Sequence, residues 1–120
     1  MSAAFPVTIY HNPNCGTSRN TLEIIRGAGL EPEVIEYLKT GWTIPGLTSL
    51  LKTLKARPRD ILRVRGTPAE ALGLLDPKTS DETILAAMVA EPILVERPIV
   101  VTPKGAAVTR PKELVHALLP

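Results

Sequence analysis

Near the start of the chain, two short runs rich in β-branched and aromatic residues bracket a helix-forming run, and this order constrains the fold more than any other feature. Val7-Thr8-Ile9-Tyr10 has the composition of a strand, and so does the run 33–38, Glu-Val-Ile-Glu-Tyr-Leu. Between them the pattern predicts a helix over 18–26, with Leu22, Ile24 and Ile25 inward and Gly27 and Gly29 ending it. Strand, helix and strand on short links form a βαβ unit, which has parallel strands and a right-handed crossover.

The middle of the chain changes period. Leu47, Leu50, Leu51 and Leu54 recur at helical spacing, which predicts an amphipathic helix over 45–55. A short turn over 59–63 carries Ile61 and Leu62, and 69–74 is a candidate for another. Ser80 offers an N-cap, and Asp81 and Glu82 first-turn acids, for a further helix with Ile84, Leu85, Met88 and Val89 on one face. Strand signals then return over 98–102, followed by a Pro103-Lys104-Gly105 turn and an antiparallel partner over 106–109. Pro111 suits the first position of a last helix running to Leu119, with Leu114, Val115 and Leu118 inward. The order βαβ, helices, ββα is thioredoxin-like. The expected class is α/β: a single domain with a four-stranded mixed sheet flanked by helices, built from about 5–40 and 93–120, and an all-helical insertion over about 41–92.

Composition narrows the function. Hydrophobic residues are 44% of the 120 and aromatics 3%, so the core must be aliphatic. A net charge of +2 is too mild to argue for a nucleic-acid partner, yet it does not repel a small anion. The 12 prolines are spread along the chain, so they punctuate elements rather than mark a disordered segment. No run approaches the ~18 apolar residues of a membrane span, and Met1-Ser2-Ala3-Ala4-Phe5 lacks the features of a signal peptide. The single cysteine, Cys15, cannot form an internal disulfide, and a lone free thiol suits a reducing cytoplasm.

A lone cysteine is usually a small buried hydrophobe. Cys15, however, follows a strand and shortly precedes a helix, where backbone N–H groups point outward and the helix dipole is positive. A free thiol with pKa ~8.5 is only a few per cent ionised at neutral pH, and such surroundings lower it into the range ~3.5–7.5. The same geometry receives ligand anions. Gly16 lets the backbone approach closely, and Thr17 and Ser18 bring hydroxyl groups, which serve equally as simple helix caps. His11 either stabilises the thiolate as a cation or, when neutral, ties down the loop. Other cysteine sites fail on spacing. A phosphatase loop needs Cys-x5-Arg, but Thr21 holds that place and Arg19 is too near; a two-cysteine redox loop needs cysteine where Ser18 stands. One cysteine and two histidines fall short of a zinc site, and no Gly-rich dinucleotide fingerprint is present, so no bound metal or cofactor is expected.

The segment His11-Asn12-Pro13-Asn14-Cys15-Gly16-Thr17-Ser18-Arg19-Asn20-Thr21-Leu22 closely resembles the active-site loop of the glutaredoxin-coupled arsenate reductases. Glu96-Arg97-Pro98-Ile99-Val100-Val101-Thr102-Pro103 and Thr109-Arg110-Pro111 resemble that family's second and third signature segments. The resemblance implies that Cys15 is the nucleophile and that Arg63, Arg97 and Arg110 surround an oxyanion. Arg63 is the loosest match, since Arg59 and Arg65 lie close by. It also implies a cis Arg97–Pro98 bond. Independently of the family, Arg97 and Arg110 each precede a proline at the two ends of a short hairpin, which brings them side by side. Two such guanidiniums either share an anion or sit in solvent with carboxylates such as Glu96 and Glu113.

The implied reaction is reduction of arsenate to arsenite through a Cys15 thiol-arsenate intermediate, with glutathione as co-substrate and glutaredoxin as partner. Two other readings remain open at this point: a monothiol disulfide oxidoreductase on the same scaffold, for which the arginines would be idle, and a non-enzymatic module resembling transcription regulators, which typically carry a second cysteine where Ser18 stands.

Overall fold

The computed structural model describes residues 5–120, so most of the N-terminal segment read above lies outside the described residues. The chain groups into two compact units, one running to Thr40 and resuming at Arg97–Pro120, the other Gly41–Glu96.

The first unit holds the sheet. Its elements are β1 (Thr8–Tyr10), α1 (Gly16–Gly27), β2 (Glu33–Ile35), a short α2 (Tyr37–Thr40), β3 (Ile99–Thr102), β4 (Gly105–Val108) and a closing 3₁₀ helix, Lys112–Leu118. Strand order is β2-β1-β3-β4. β1 pairs in parallel with β2 and antiparallel with β3, which pairs antiparallel with β4, so the sheet is mixed as expected. Thioredoxin-like topology follows. Val7, Ile9 and Val100 from the sheet side pack with Ile25 of α1 and with Val115, Leu118 and Leu119 of the closing segment. Each such aliphatic side chain contributes roughly 1.5–3 kcal/mol when fully buried.

Besides shifts of a residue at the ends of β3, β4 and the helix after Thr43, three departures from the sequence reading bear on the site and the core. Helix α1 starts at Gly16, because Cys15 is itself the extended N-cap (φ −100, ψ 121), and its buried stripe is Ser18, Thr21 and Ile25, with Leu22 and Ile24 only partly covered. The second strand stops at Ile35: the N–H groups of Lys39 and Thr40 donate to the Glu36 carbonyl, closing a helical turn that Gly41 ends at φ 72. The last helix is 3₁₀ rather than α. Its period of three places Val115 and Leu118 on one buried edge and turns Leu114 outward at 46% exposure. Thr102 Oγ1 and Lys104 Nζ donate to the carbonyls of Leu118 and Leu119, both at 2.7 Å, and fix its end.

In the second unit, α3 (Ile44–Leu54) buries Leu47, Leu50 and Leu51. Thr43 caps it by accepting the Gly46 N–H, and a Cβ at Gly46 would stand 2.9 Å from that same hydroxyl, so the cap leaves room only for glycine. A 3₁₀ turn, Pro58–Ile61, precedes α4 (Asp81–Ala90), which Ser80 caps and which buries Ile84 and Met88. Residues 69–74 form turns, and a second 3₁₀ turn, Pro92–Leu94, was not legible in advance. A Leu62–Val95 bridge joins the middle of the unit to its C-terminal end, with Arg63 N–H on the Leu94 carbonyl (2.7 Å) and Glu96 N–H on the Ile61 carbonyl (2.9 Å). No described helix is long and apolar enough to cross a membrane.

Candidate active site

The cysteine loop is held from within. After β1, the Cys15 N–H donates to the Asn12 carbonyl (3.0 Å), the Asn14 N–H to Asn12 Oδ1 (3.0 Å), and the Arg19 side chain to the Pro13 carbonyl (2.8 Å). Ser18, fully buried, accepts the Asn12 N–H at 3.1 Å and lies 2.6 Å from His11 Nδ1. These bonds decide two open roles. The Ser18 hydroxyl faces the loop's interior and is committed there, so it is neither a helix cap nor a donor to an outside anion. His11 is buried at 6% exposure, and burial lowers its pKa; Glu36 opposes that and Arg26 and Arg19 reinforce it. Burial thus favours the neutral ring, and the contact with Ser18 ties it to the loop. Gly16 is exposed, and a Cβ there would meet nothing nearer than Arg19 Nη2 at 3.8 Å, so the backbone at the helix start is open to approach.

The sulfur sits under opposing influences. Burial pushes the Cys15 thiol up, but the Ser18 N–H and the Arg97 and Arg110 guanidiniums more than offset it, and the net shift is downward. The Cys15 side chain makes no cap hydrogen bond, yet the Ser18 N–H favours the thiolate. Arg110 Nη1 lies 3.6 Å from Cys15 Sγ and also donates to the Arg97 carbonyl at 3.1 Å. The hairpin delivers this neighbourhood: Ile99 pairs with Val108, and the Thr109 N–H donates to the Pro98 carbonyl at 3.0 Å, so the residues flanking the two strands lie abreast. Both Arg97–Pro98 and Arg110–Pro111 are cis, the first as the resemblance implied.

Arg97 is the least satisfied of these groups. Its Nε and Nη1 are buried and make no hydrogen bond among the described residues. Buried donors are nearly always paired, and leaving one bare costs on the order of 1–3 kcal/mol. These two donors of a fork-shaped cation lie beside the Cys15 sulfur and a second guanidinium, that of Arg110.

The structure thus brings Cys15, Arg97 and Arg110 together. Arg63 belongs to the second unit, where its Nη1 pairs with Glu96 Oε1 at 2.9 Å while its Nε is buried without a partner. Of its sequence neighbours, Arg59 donates to the Thr79 carbonyl at 2.6 Å and Arg65 is exposed. Thr17 is half-buried. Sequence reasoning missed a buried pair: Thr21 Oγ1 and Thr109 Oγ1, both fully buried, meet at 3.3 Å and join α1 to the residue before Arg110. The only advance signal was a threonine on the helix face that also carries Ser18 and Ile25.

The model of the ArsC family matches residues 10–118. An arsenate reductase of Synechocystis sp. is 53% identical over 113 residues, 94% of this chain and 81% of the relative. An arsenate reductase of Escherichia coli is 48% identical over 114 residues, 95% of this chain and 81% of the relative. Among solved structures, an arsenate reductase from Vibrio cholerae superposes with a TM-score of 0.91 at 39% identity, covering 97% of this chain and 99% of that one.

Proposed function

The chain belongs to the ArsC family, and from that premise we propose that it is an arsenate reductase in which Cys15 attacks arsenic between Arg97 and Arg110. Reduction of arsenate to arsenite takes two electrons, hence two thiols ending as one disulfide. The chain owns one cysteine, so the second thiol comes from outside. The Cys15 thiolate attacks arsenic, an As–O bond breaks and the oxygen leaves, protonated, as water. The guanidiniums hold the remaining oxygens and the charge that develops on them. Glutathione thiolate then attacks the Cys15 sulfur. The S–As bond breaks with its electron pair left on arsenic, which becomes trivalent, and a Cys15–glutathione disulfide forms. Glutaredoxin thiolate attacks the glutathione sulfur of that disulfide and frees Cys15. A thiol that must return to its reduced state at each turnover fits the cytoplasm.

The observation that carries this reading is the pair of bare, buried Arg97 donors beside a sulfur whose pKa is lowered. A disulfide substrate brings no oxyanion to fill them, which favours arsenate over a monothiol disulfide exchange. The test is arsenate-dependent NADPH oxidation in the presence of glutathione, glutaredoxin and glutathione reductase. A rate well above that of Cys15→Ser is expected; equal rates would overturn the proposal.

A further inference from the structure

Beside the arginine clamp lies a hollow of about 320 Å³, lined by Thr17 and Asn20 of α1 and by Arg110, Pro111, Lys112 and Glu113. Its volume is near the lower end of the ~300–1,000 Å³ of small-molecule pockets. Arg110 borders both places, since its Nη1 also lies 3.6 Å from Cys15 Sγ. The oxyanion chemistry gives no task to Asn20, Lys112 or Glu113. Lys112 Nζ and Glu113 Oε2 stand 3.8 Å apart, and their side chains are 43% and 64% exposed. So loose and wet a pair opens readily, which frees one charge of each sign to meet a ligand.

The reaction supplies the ligand's chemistry. A second thiol has to reach Cys15 Sγ, and the hollow that shares Arg110 with that sulfur offers a cation, an anion, an amide and a hydroxyl. We propose that this hollow is the seat of the second thiol and takes glutathione, a small zwitterionic peptide thiol, with a carboxylate on Lys112, the ammonium on Glu113 and the peptide groups on Asn20 and Thr17. This rests on the reductase reading above. The hollow binds and orients, and the bond changes remain those already written: a sulfur–sulfur bond forms at Cys15 as the S–As bond leaves its electron pair on arsenic.

The probe is S-methylglutathione, whose thioether cannot react, titrated calorimetrically into the full-length Cys15→Ser protein. Adding Lys112→Ala or Glu113→Gln is expected to weaken binding about tenfold each, the worth of one charge-assisted contact. Both side chains are well exposed, so the fold survives the changes. Esterifying the probe's carboxylates should weaken binding to the Cys15→Ser protein but have little further effect once Lys112→Ala is present. Acetylating its amine should behave in the same way toward Glu113→Gln. Unchanged affinity in both variants, or no binding at millimolar probe, overturns the subsite. Either result leaves arsenate reduction standing, because that reading falls only if the wild-type enzyme fails the coupled assay.

Discussion

The arginines of the 41–96 unit and those at the ends of the β3–β4 hairpin meet different fates. Arg57 forms a two-pronged pair with Asp81 (Nε–Oδ2 3.2 Å, Nη2–Oδ1 3.0 Å), and its hydrogen bonds hold the Asp81 carboxyl below its ordinary value. Arg59 donates to a carbonyl, and Arg63 holds Glu96. Arg97, by contrast, keeps two buried donors bare among the described residues, and Arg110 addresses a sulfur and a carbonyl. Arg63 lies between the two cases, with its Nη1 on Glu96 and its Nε buried without a partner among the described residues. A guanidinium desolvated without an anion leaves the fold less stable than it could be.

The largest test of this contrast is Arg97→Ala. It should lower kcat/KM by about 10²–10³, as loss of an oxyanion donor does, and raise the pH at which Cys15 is alkylated. Arg97→Lys should recover little, because an ammonium lacks the fork. A change within a factor of two would place Arg97 with the scaffold arginines. Next comes Thr21→Val, which leaves the Thr109 hydroxyl bare and loosens α1 from the strand end that carries Arg110. About a tenfold fall in kcat is expected from misplaced groups, with Thr21→Ser retaining most of the activity. Arg63 tests the contrast from the other side. Arg63→Ala should cost about 1–3 kcal/mol of stability, measured by denaturant unfolding, because the mostly covered Glu96 carboxylate loses its partner. Its kcat/KM should fall less than that of Arg97→Ala, since Glu96 already occupies one edge of the Arg63 fork. Exposed Arg57→Ala should leave activity unchanged.

The smallest effect is in pH. The Cys15 pKa is lower in the folded state, so its ionisation adds stability that is fully present above the unfolded value and is lost as pH falls through the folded one. The melting-temperature difference between wild type and Cys15→Ser should therefore widen as pH rises. His11, also lowered by burial, adds a loss of stability on acidification below ~6.5. His11→Gln should flatten that part of the curve.

Some of this was readable in advance for a definite reason. Helix and strand periods are local, so the order of elements, the aliphatic core and the junction that carries Cys15 follow from residues a few places apart. The count of one cysteine set the electron bookkeeping before any coordinate was known. Local cues misled where a longer contact overrode them. Leu114 reads as inward on an α period but faces out on a 3₁₀ one. Ser18 reads as a cap or an anion donor until the loop folds back and sets its hydroxyl against His11 and Asn12.

The sequence by itself determined that one thiol would sit at a strand-to-helix junction, with arginines at both ends of a later hairpin. Only the tertiary structure decided that those ends return to the cysteine. Thr21 and Thr109, 88 positions apart, bond across that return, and burial leaves Arg97 Nε and Nη1 without a hydrogen-bond partner among the described residues. No local period encodes such contacts. They exist because packing the sheet against α1 removes water from groups that the chain order keeps far apart.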